Sequence, residues 1–534
     1  MIFKSTFFLK FFKKRRYRQK RREILLYRTL RKNNSFNLLT RIQNGFRDAG
    51  PKEGFHFLNL SCSAISVNQF LACRFQAGTF IGGLLVRSIF SASESKNKRT
   101  PFPVPFIWWS TLSEHGLKVA PIRSFFYWKL VCLILFTVSF LKILKAIRAT
   151  MFERLTVPKK PFTSLLNLTD LNIRQNFDGN SGYTIVDWFQ KNFGVTDFVV
   201  TGNFTSKTKG EHKNIYKWND PLGPLSVKLL FNFLIFSLAL FCKCLVNLIF
   251  GNGYQAIMFY ELWLLRKSQI IPDKNVALEY GFSNSDYAYK PLWAENLEKR
   301  GASVVLYFYS LNCTPYVIDN KAISPYFAYK NMTWSKYLVW HKDFKEFLKP
   351  LMFKEGKVEV VPPIFFSDSY KDMKVFNLEK KILVFDVAPF REFNLLELGF
   401  ELDYFSEKTS FLFFNDLPRL ARKYNVTFVI KQKRIISDSK SSRKYKNLFS
   451  KLEQENRIEI LYADISAHRS LQNCLGAISM PFTSTAHIAA ANNIPTIYYD
   501  PSERLEKGQF ASLGVEMLSS LNELDDWIEK LTSK

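Results

Sequence analysis

Three hydroxyl side chains, Thr483, Ser484 and Thr485, follow directly on Pro481-Phe482. A short apolar run, Ala477 to Met480, precedes them, and Ala486 to Asn493, rich in helix formers, comes after. A second apolar run, Thr496 to Tyr499, is closed by Asp500 and Pro501. The pattern predicts strand, tight turn, helix, strand. Hydroxyls in such a turn sit at a helix N-terminus, where unpaired N–H groups and the dipole favour an anion. At the carboxyl end of a parallel strand that is a place to hold a phosphate. The same hydroxyls could instead do no more than cap the helix. Sequence alone leaves both readings open.

Other chemistry-bearing residues close neighbouring apolar runs. The run Ile382 to Asp386 ends in an acid, and the run Val426 to Lys431 ends in Lys431, with Lys433 two residues on. Asp464 follows the Arg457 to Tyr462 run, and Glu503 follows Asp500. In a doubly wound sheet these positions lie beyond the carboxyl ends of the strands, where ligands bind. Each has a plain alternative: helix capping for Asp386, turn formation for Asp500, solvation for Glu503 and for one of the two lysines.

The wording Pro481-Phe482-Thr483-Ser484-Thr485 resembles the signature of the polysaccharide-biosynthesis PFTS-motif proteins. Lys290 to Trp293, Glu298 to Gly301, Leu306 to Ser310, Trp334 to Trp340 and Val358 to Ser367 also resemble that family's blocks, in the same order. A second PFTS, Pro161 to Ser164, follows Lys159-Lys160 rather than a strand and reads as chance. The resemblance implies a glycosyltransferase of two Rossmann-like domains, the GT-B type. It implies a nucleotide-sugar donor held by Lys431, Lys433, Thr483, Ser484, Thr485, Glu503 and Asp386. For an inverting enzyme it implies a catalytic base from the first domain. Asp286 is the first candidate and Glu279 the second, ahead of Glu295, with His341 as a competing base. Tyr309 and Ser310 would line the acceptor side.

Several chemistries lack support. No Asp-x-Asp triplet occurs, so the expectation is a metal-independent reaction without a cofactor beyond the donor. The six histidines lack metal-ligand spacing, and His487 reads as a helix surface residue or a phosphate neighbour. No Walker, G-x-G-x-x-G or G-x-S-x-G pattern is present. Seven cysteines at irregular spacing, without a CxxC pair, fit reduced cytoplasmic thiols. No signal peptide is read at the start.

The elements that must position these residues are read from charge and hydropathy. The chain has 534 residues, a net charge of +29 and 53 phenylalanines. Residues 1 to 50 carry 15 basic and two acidic residues, hence +13. Such an arm favours polyanions, here an anionic membrane surface ahead of nucleic acid. Two apolar segments, Leu130 to Leu141 and Leu229 to Phe250, read as spans, interfacial helices or buried core helices.

The expected layout is α/β. Residues 1–123 form a basic N-terminal region and 124–253 a membrane-associated helical region with a polar insert. Residues 254–366 form a first Rossmann-like, acceptor-side domain, and 375–534 a second, donor-binding one. Expected strands of the first are Ile257 to Leu264, Asn275 to Tyr280, Val304 to Ser310, Tyr337 to Trp340 and Val358 to Val361. The expected function is sugar transfer to a surface polysaccharide or lipid-linked acceptor at the cytoplasmic face of the membrane. The alternatives are a nucleotide-sugar isomerase or epimerase on the same fold, and a non-enzymatic basic scaffold.

Overall fold

The computed structural model describes residues 24–25, 28–29, 36–51, 54–57, 60–75, 79–94, 98–152, 158, 161–173, 182–204, 214–285, 289–311, 315–323, 327–352, 354–368, 378, 380–389, 404–433 and 443–533. Residues 1–23 of the basic N-terminal region and most of the stretch 367–374 between the two expected domains lie outside these. The chain divides into two compact units.

The first unit takes Met1–Ile143, Asn232–Trp263 and Phe390–Asp403. Its described part is helical, apart from a hairpin of Phe55–Phe57 and Leu60–Cys62. Its core packs rings: Phe46 stacks on Trp108 at 4.8 Å, and Phe75 meets Trp108 edge-on at 4.6 Å. Helix α1 (Pro121–Phe152) and helix α2 (Val227–Ile249) contain the two apolar segments. Helix α3 (Tyr254–Ile270) follows α2.

The second unit holds two parallel sheets. The strands of the first are β1 (Thr163–Thr169), β2 (Phe198–Asn203), β3 (Ile215–Trp218), β4 (Glu279–Ser283), β5 (Ser303–Tyr307), β6 (Lys336–Val339) and β7 (Lys357–Val360). Their order is β3-β2-β1-β4-β5-β6-β7, all parallel. The second sheet contains β8 (Lys381–Phe385), β9 (Thr427–Lys431), β10 (Ile458–Leu461), β11 (Gly476–Ser479), β12 (Thr496–Tyr499) and β13 (Met517–Leu518). Its order is β10-β9-β8-β11-β12-β13, again parallel throughout. Both sheets therefore follow the third-second-first-fourth-fifth-sixth order of a doubly wound Rossmann fold, the first with a seventh strand, β7, added at its edge. Strand order reverses between β1 and β4 in one, and between β8 and β11 in the other. Strands covered on both faces are near-continuously apolar, and β8 and β11 are buried accordingly.

Local sequence sets the flanking helices. Thr184 and Asp187 form a capping box on Ile185–Phe193, which ends at Gly194 with φ 65°. Ser520 and Glu523 do the same for the closing helix Leu521–Thr532. In the first sheet, register shifts between Leu165 and Leu168, opposite Gly202. A Cβ there would stand 1.8 Å from the Leu168 carbonyl oxygen, so only glycine fits.

Four sequence expectations need correction. The first sheet opens at Thr163 rather than after 254: β1, β2 and β3 come from the stretch read as a polar insert. Ile257 to Leu264 is part of helix α3, not a strand, because the segment runs on through 17 residues without a turn signal, too long for a strand. Pro272 to Asn275 makes a single helical turn, so the expected Asn275 to Tyr280 strand begins only at Glu279. Finally, the second sheet has a sixth strand, β13, too short to announce itself.

Candidate active site

Residues just beyond the carboxyl end of β5 in the first sheet meet those just beyond the carboxyl end of β11 in the second. The turn after β11 runs Met480 to Thr483 and opens helix α4 (Ser484–Ala491). Phe482 takes φ +60°, a left-handed conformation costly for an aromatic residue. Its buried ring stacks on Tyr316 at 4.8 Å, which offsets that cost. Thr483 occupies the cap position of α4, yet its side chain makes no capping bond. Its hydroxyl donates instead to the Met480 carbonyl at 2.8 Å. Thr485 Oγ1 lies 3.1 Å from Thr483 Oγ1 and 3.0 Å from Ser479 Oγ. Because the Thr483 proton is committed to the carbonyl, the relay runs Ser479 to Thr485 to Thr483. The capping reading of these hydroxyls therefore fails at Thr483, and the first turn of α4 is left for another acceptor.

Ser484 faces the first sheet. Its Oγ lies 2.9 Å from Ser310 Oγ and accepts from the Leu311 N–H at 2.8 Å. Ser310 stands just beyond β5. Beside it, Tyr309 stacks on Phe366 at 4.1 Å and its hydroxyl reaches Ser285 Oγ at 2.6 Å. His341, beyond β6, sets its ring 6.0 Å from that of His487 in the first turn of α4. His341 caps the helix Lys342–Leu348 through Nδ1.

His487 is buried, not a surface residue, and Nε2 lies 3.2 Å from the Tyr498 hydroxyl. Tyr498 also donates to the Thr483 carbonyl at 2.9 Å. Burial and, second, the neighbouring His341 push the His487 pKa down to about 4.

Lys431 closes β9 and is buried, its ammonium on the carbonyls of Ala463 (3.1 Å) and Gln432 (3.2 Å). Burial lowers its pKa to about 8, against the opposing pull of Asp386, Asp464 and Asp368. Asp386 is buried beyond β8; it accepts from the Tyr445 hydroxyl and from the Lys433 N–H at 3.3 Å. Burial raises its pKa, and these two donors oppose the rise. Asp386 thus orders the backbone after β9, while the Lys433 side chain is exposed.

Asp500 is a turn former. Wholly buried, it accepts from Tyr404 OH, the Ser502 N–H and hydroxyl, and the N–H groups of Arg504 and Leu505. The loop so fixed pairs Arg504 with Asp319, Nε to Oδ1 at 3.0 Å. Glu503 sits exposed on it with φ +54°.

The two expected catalytic carboxylates fare differently. Asp286 lies outside the described residues. Glu279 opens β4 rather than closing it, so it stands at the amino edge of the sheet, opposite Ser303 and Thr163. There it approaches Lys336 at 4.0 Å and accepts from Ser303 Oγ at 3.3 Å. A base for the acceptor hydroxyl belongs at the other edge. The structure thus gathers Thr483, Ser484 and Thr485 in one turn after β11, sets Lys431 near Asp386 beyond the neighbouring strands β9 and β8, and leaves Glu279 apart. Sequence reasoning missed the roles of Tyr445, Tyr498 and Tyr404, which come from distant segments without a motif. Among the described residues, no three His, Cys, Asp or Glu side chains converge as a metal site.

A family model described as polysaccharide biosynthesis PFTS motif protein matches residues 244–528, more than half of the chain. The chain belongs to this family. The match to the PFTS-motif family begins within α2 and so leaves β1, β2 and β3 outside it, although they complete the first sheet. No functionally curated protein matches.

Among solved structures, similarity extends to a trehalose 6-phosphate synthase from Burkholderia multivorans. Identity is 12%, coverage 70% of this chain and 91% of that one, and the TM-score 0.36. A sucrose-phosphate synthase from Thermosynechococcus elongatus is similar at 9% identity, with coverage of 70% and 90% and a TM-score of 0.35. A UDP-GlcNAc 2-epimerase from Methanocaldococcus jannaschii, solved with UDP-GlcNAc and UDP, follows at 12% identity, 70% and 93% coverage, and a TM-score of 0.34.

Proposed function

We propose that this PFTS-motif protein is a GT-B-type glycosyltransferase. It moves a sugar from a nucleotide-sugar donor to a polysaccharide or lipid-linked acceptor at the cytoplasmic face of the membrane. The observation that carries the reading is the meeting of Ser310 and Ser484, 2.9 Å apart, at the carboxyl edges of two doubly wound sheets. Such edges are where ligands bind in this class of fold, and here two of them converge on one uncapped helix start.

The donor diphosphate would sit at the N-terminus of α4. As the sugar leaves, negative charge grows on the phosphate, and preorganised donors aimed at that charge lower the barrier. Backbone N–H groups of α4, the Ser484 hydroxyl and the Lys431 ammonium supply them, while Thr485 holds Thr483 in the turn. Asp386 holds the strand end that carries Lys431 and Lys433. No metal ion is needed for this step in the proposed mechanism. The acceptor would enter from the side of Tyr309 and Ser310.

A thermal-shift panel of CMP, UDP, GDP and their sugar conjugates, with and without EDTA, tests the reading. One nucleotide should raise Tm regardless of EDTA, because ligand binding to the folded state stabilises by mass action. Stabilisation that EDTA abolishes would overturn the metal-independent step. Conversion of the sugar nucleotide without any acceptor would favour the epimerase alternative instead.

A further inference from the structure

Helices α1 and α2 run antiparallel. The Lys129 ammonium on α1 donates to the carbonyls of Leu248 and Gly251 at the end of α2, at 2.6 Å each. Further along, Phe136 and Phe140 meet the Phe241 ring at 5.3 and 5.2 Å. One flank of the pair is buried, with Val131, Cys132 and Phe136 on α1 and Phe233, Leu240 and Cys244 on α2.

The opposite flank is apolar and open. Phe126, Leu130, Leu133 and Leu141 on α1, and Ile235 and Leu238 on α2, are 48% to 66% exposed. Only 33% and 28% of the apolar stretches of the two helices are buried, so neither is an ordinary core helix. Exposed apolar side chains in this number on two packed helices mark an interaction site.

Charge selects the occupant. Neither helix contains Asp or Glu. Arg123 and Lys129 bracket the α1 stripe at one end, and Lys142, Lys145 and Arg148 at the other. A second copy of the chain would set cation against cation. An anionic lipid surface is complementary at both ends and in the middle.

By overall length and composition both helices are long enough to cross a membrane; the placement of their charges selects the mode. The longest charge-free run on α1 is Leu130 to Leu141, twelve residues, about 18 Å at the helical rise. On α2 it is Leu229 to Cys242, fourteen residues, or about 21 Å. The hydrocarbon core of a bilayer is about 30 Å thick. With cations at both ends of the α1 stripe, both ends belong among headgroups on one side.

We propose that α1 and α2 form an in-plane anchor that sinks its open flank into one leaflet of an anionic bilayer without crossing it. This deepens the membrane placement above and is independent of the sugar chemistry.

The test mixes the full-length protein with vesicles of phosphatidylcholine alone or with phosphatidylglycerol, followed by flotation. Binding should be at least about tenfold stronger to the anionic vesicles, should survive molar salt and should be released by alkaline carbonate. The Leu133→Glu/Leu238→Glu variant should lose it while keeping its circular dichroism and its thermal shift with nucleotide. Release by salt alone would reduce the contact to electrostatics and overturn the proposal. Retention in carbonate would show a span and overturn it as well. A vesicle-free dimer that the variant dissociates would assign the flank to a second copy. Loss of the nucleotide shift in wild-type protein would count against the transferase reading and leave this one standing.

Discussion

Ser484, the first residue of α4, and Ser310, two residues past Tyr309's neighbour Phe308 on the β5 side, hold their hydroxyls 2.9 Å apart. Leu311 adds an N–H to the same Ser484 oxygen at 2.8 Å. Ser484 therefore does two things at once in the proposed mechanism: it joins the halves and points a hydroxyl at the phosphate position. Ser484→Ala with Thr485→Ala removes the directed Ser484 hydroxyl and the Thr485 link that fixes Thr483 in the turn, without touching a core apolar group. Steady-state kinetics should show kcat/KM for the donor falling about 10²-fold or more, the scale of losing preorganised donors at developing charge. Circular dichroism should stay that of the wild type. Unchanged kinetic constants in the double variant would remove the phosphate site from α4.

Lys431 makes a pH prediction with two opposite signs. Burial lowers its pKa from 10.5 to about 8. Between those values the unfolded chain binds a proton that the folded chain does not, so stability rises as pH climbs from about 8 toward 10.5. Donor affinity should move the other way, because the ammonium that neutralises phosphate is lost over the same range. Melting curves and donor titrations from pH 7 to 10 read both trends. Lys431→Gln should flatten both and weaken donor binding at neutral pH. A donor affinity that ignores pH in the wild type would exclude the ammonium from the site.

The second sheet was far more legible than the first, and particular residues show why. Five of its six strands are short apolar runs, each ended by a polar or turn residue such as Asp386, Lys431 or Pro481. Their bounds in the structure fall within a residue or two of those read from sequence. In the first half, β1 to β3 are separated from β4 by 60 residues that include both α2 and α3. Nothing local marks Thr163 to Trp218 as part of the sheet that Glu279 later joins. The two PFTS strings make the same point. Pro161 to Ser164 runs into the amino end of β1, whereas Pro481 to Ser484 leaves the carboxyl end of β11. The four letters are alike, and only the second stand where strand ends gather ligands. The position of Glu279 was misread because the strand starts four residues later than expected, which moves the carboxylate from one edge of the sheet to the other.

Asp500 supplies a stability prediction. It is fully buried, and five donors from Tyr404, Ser502, Arg504 and Leu505 converge on its carboxylate. Asp500→Ala strips a buried charge acceptor from four residues at once and should cost about 3 kcal/mol. Denaturant titration measures it as a drop in midpoint at constant m-value. The loop that carries Arg504 should also loosen, so its pairing with Asp319 would be lost. A change below about 0.5 kcal/mol, the range of ordinary surface substitutions, would show that the carboxylate is not the organiser of this turn.

His487 predicts how the fold responds to acid. It is buried at the start of α4 with its Nε2 near Tyr498 OH, and its pKa is pushed down to about 4. Below the unfolded value of about 6.5, the unfolded chain takes up a proton that the folded one refuses. The stability tied to this site is thus full above pH 6.5 and drains away as pH falls toward 4. His468, buried against Phe365 and Tyr183 and likewise near 4, adds a second such site. His487→Gln keeps a side chain able to hydrogen-bond Tyr498 but cannot titrate. The Tm difference between this variant and the wild type should therefore shift in the variant's favour between pH 6.5 and 4, whatever the carboxylates contribute in both. A difference that stays constant across that range would mean that His487 charges freely in the folded state. The imidazole would then be available as a cation for the phosphate, and the neutral pairing with Tyr498 would be wrong.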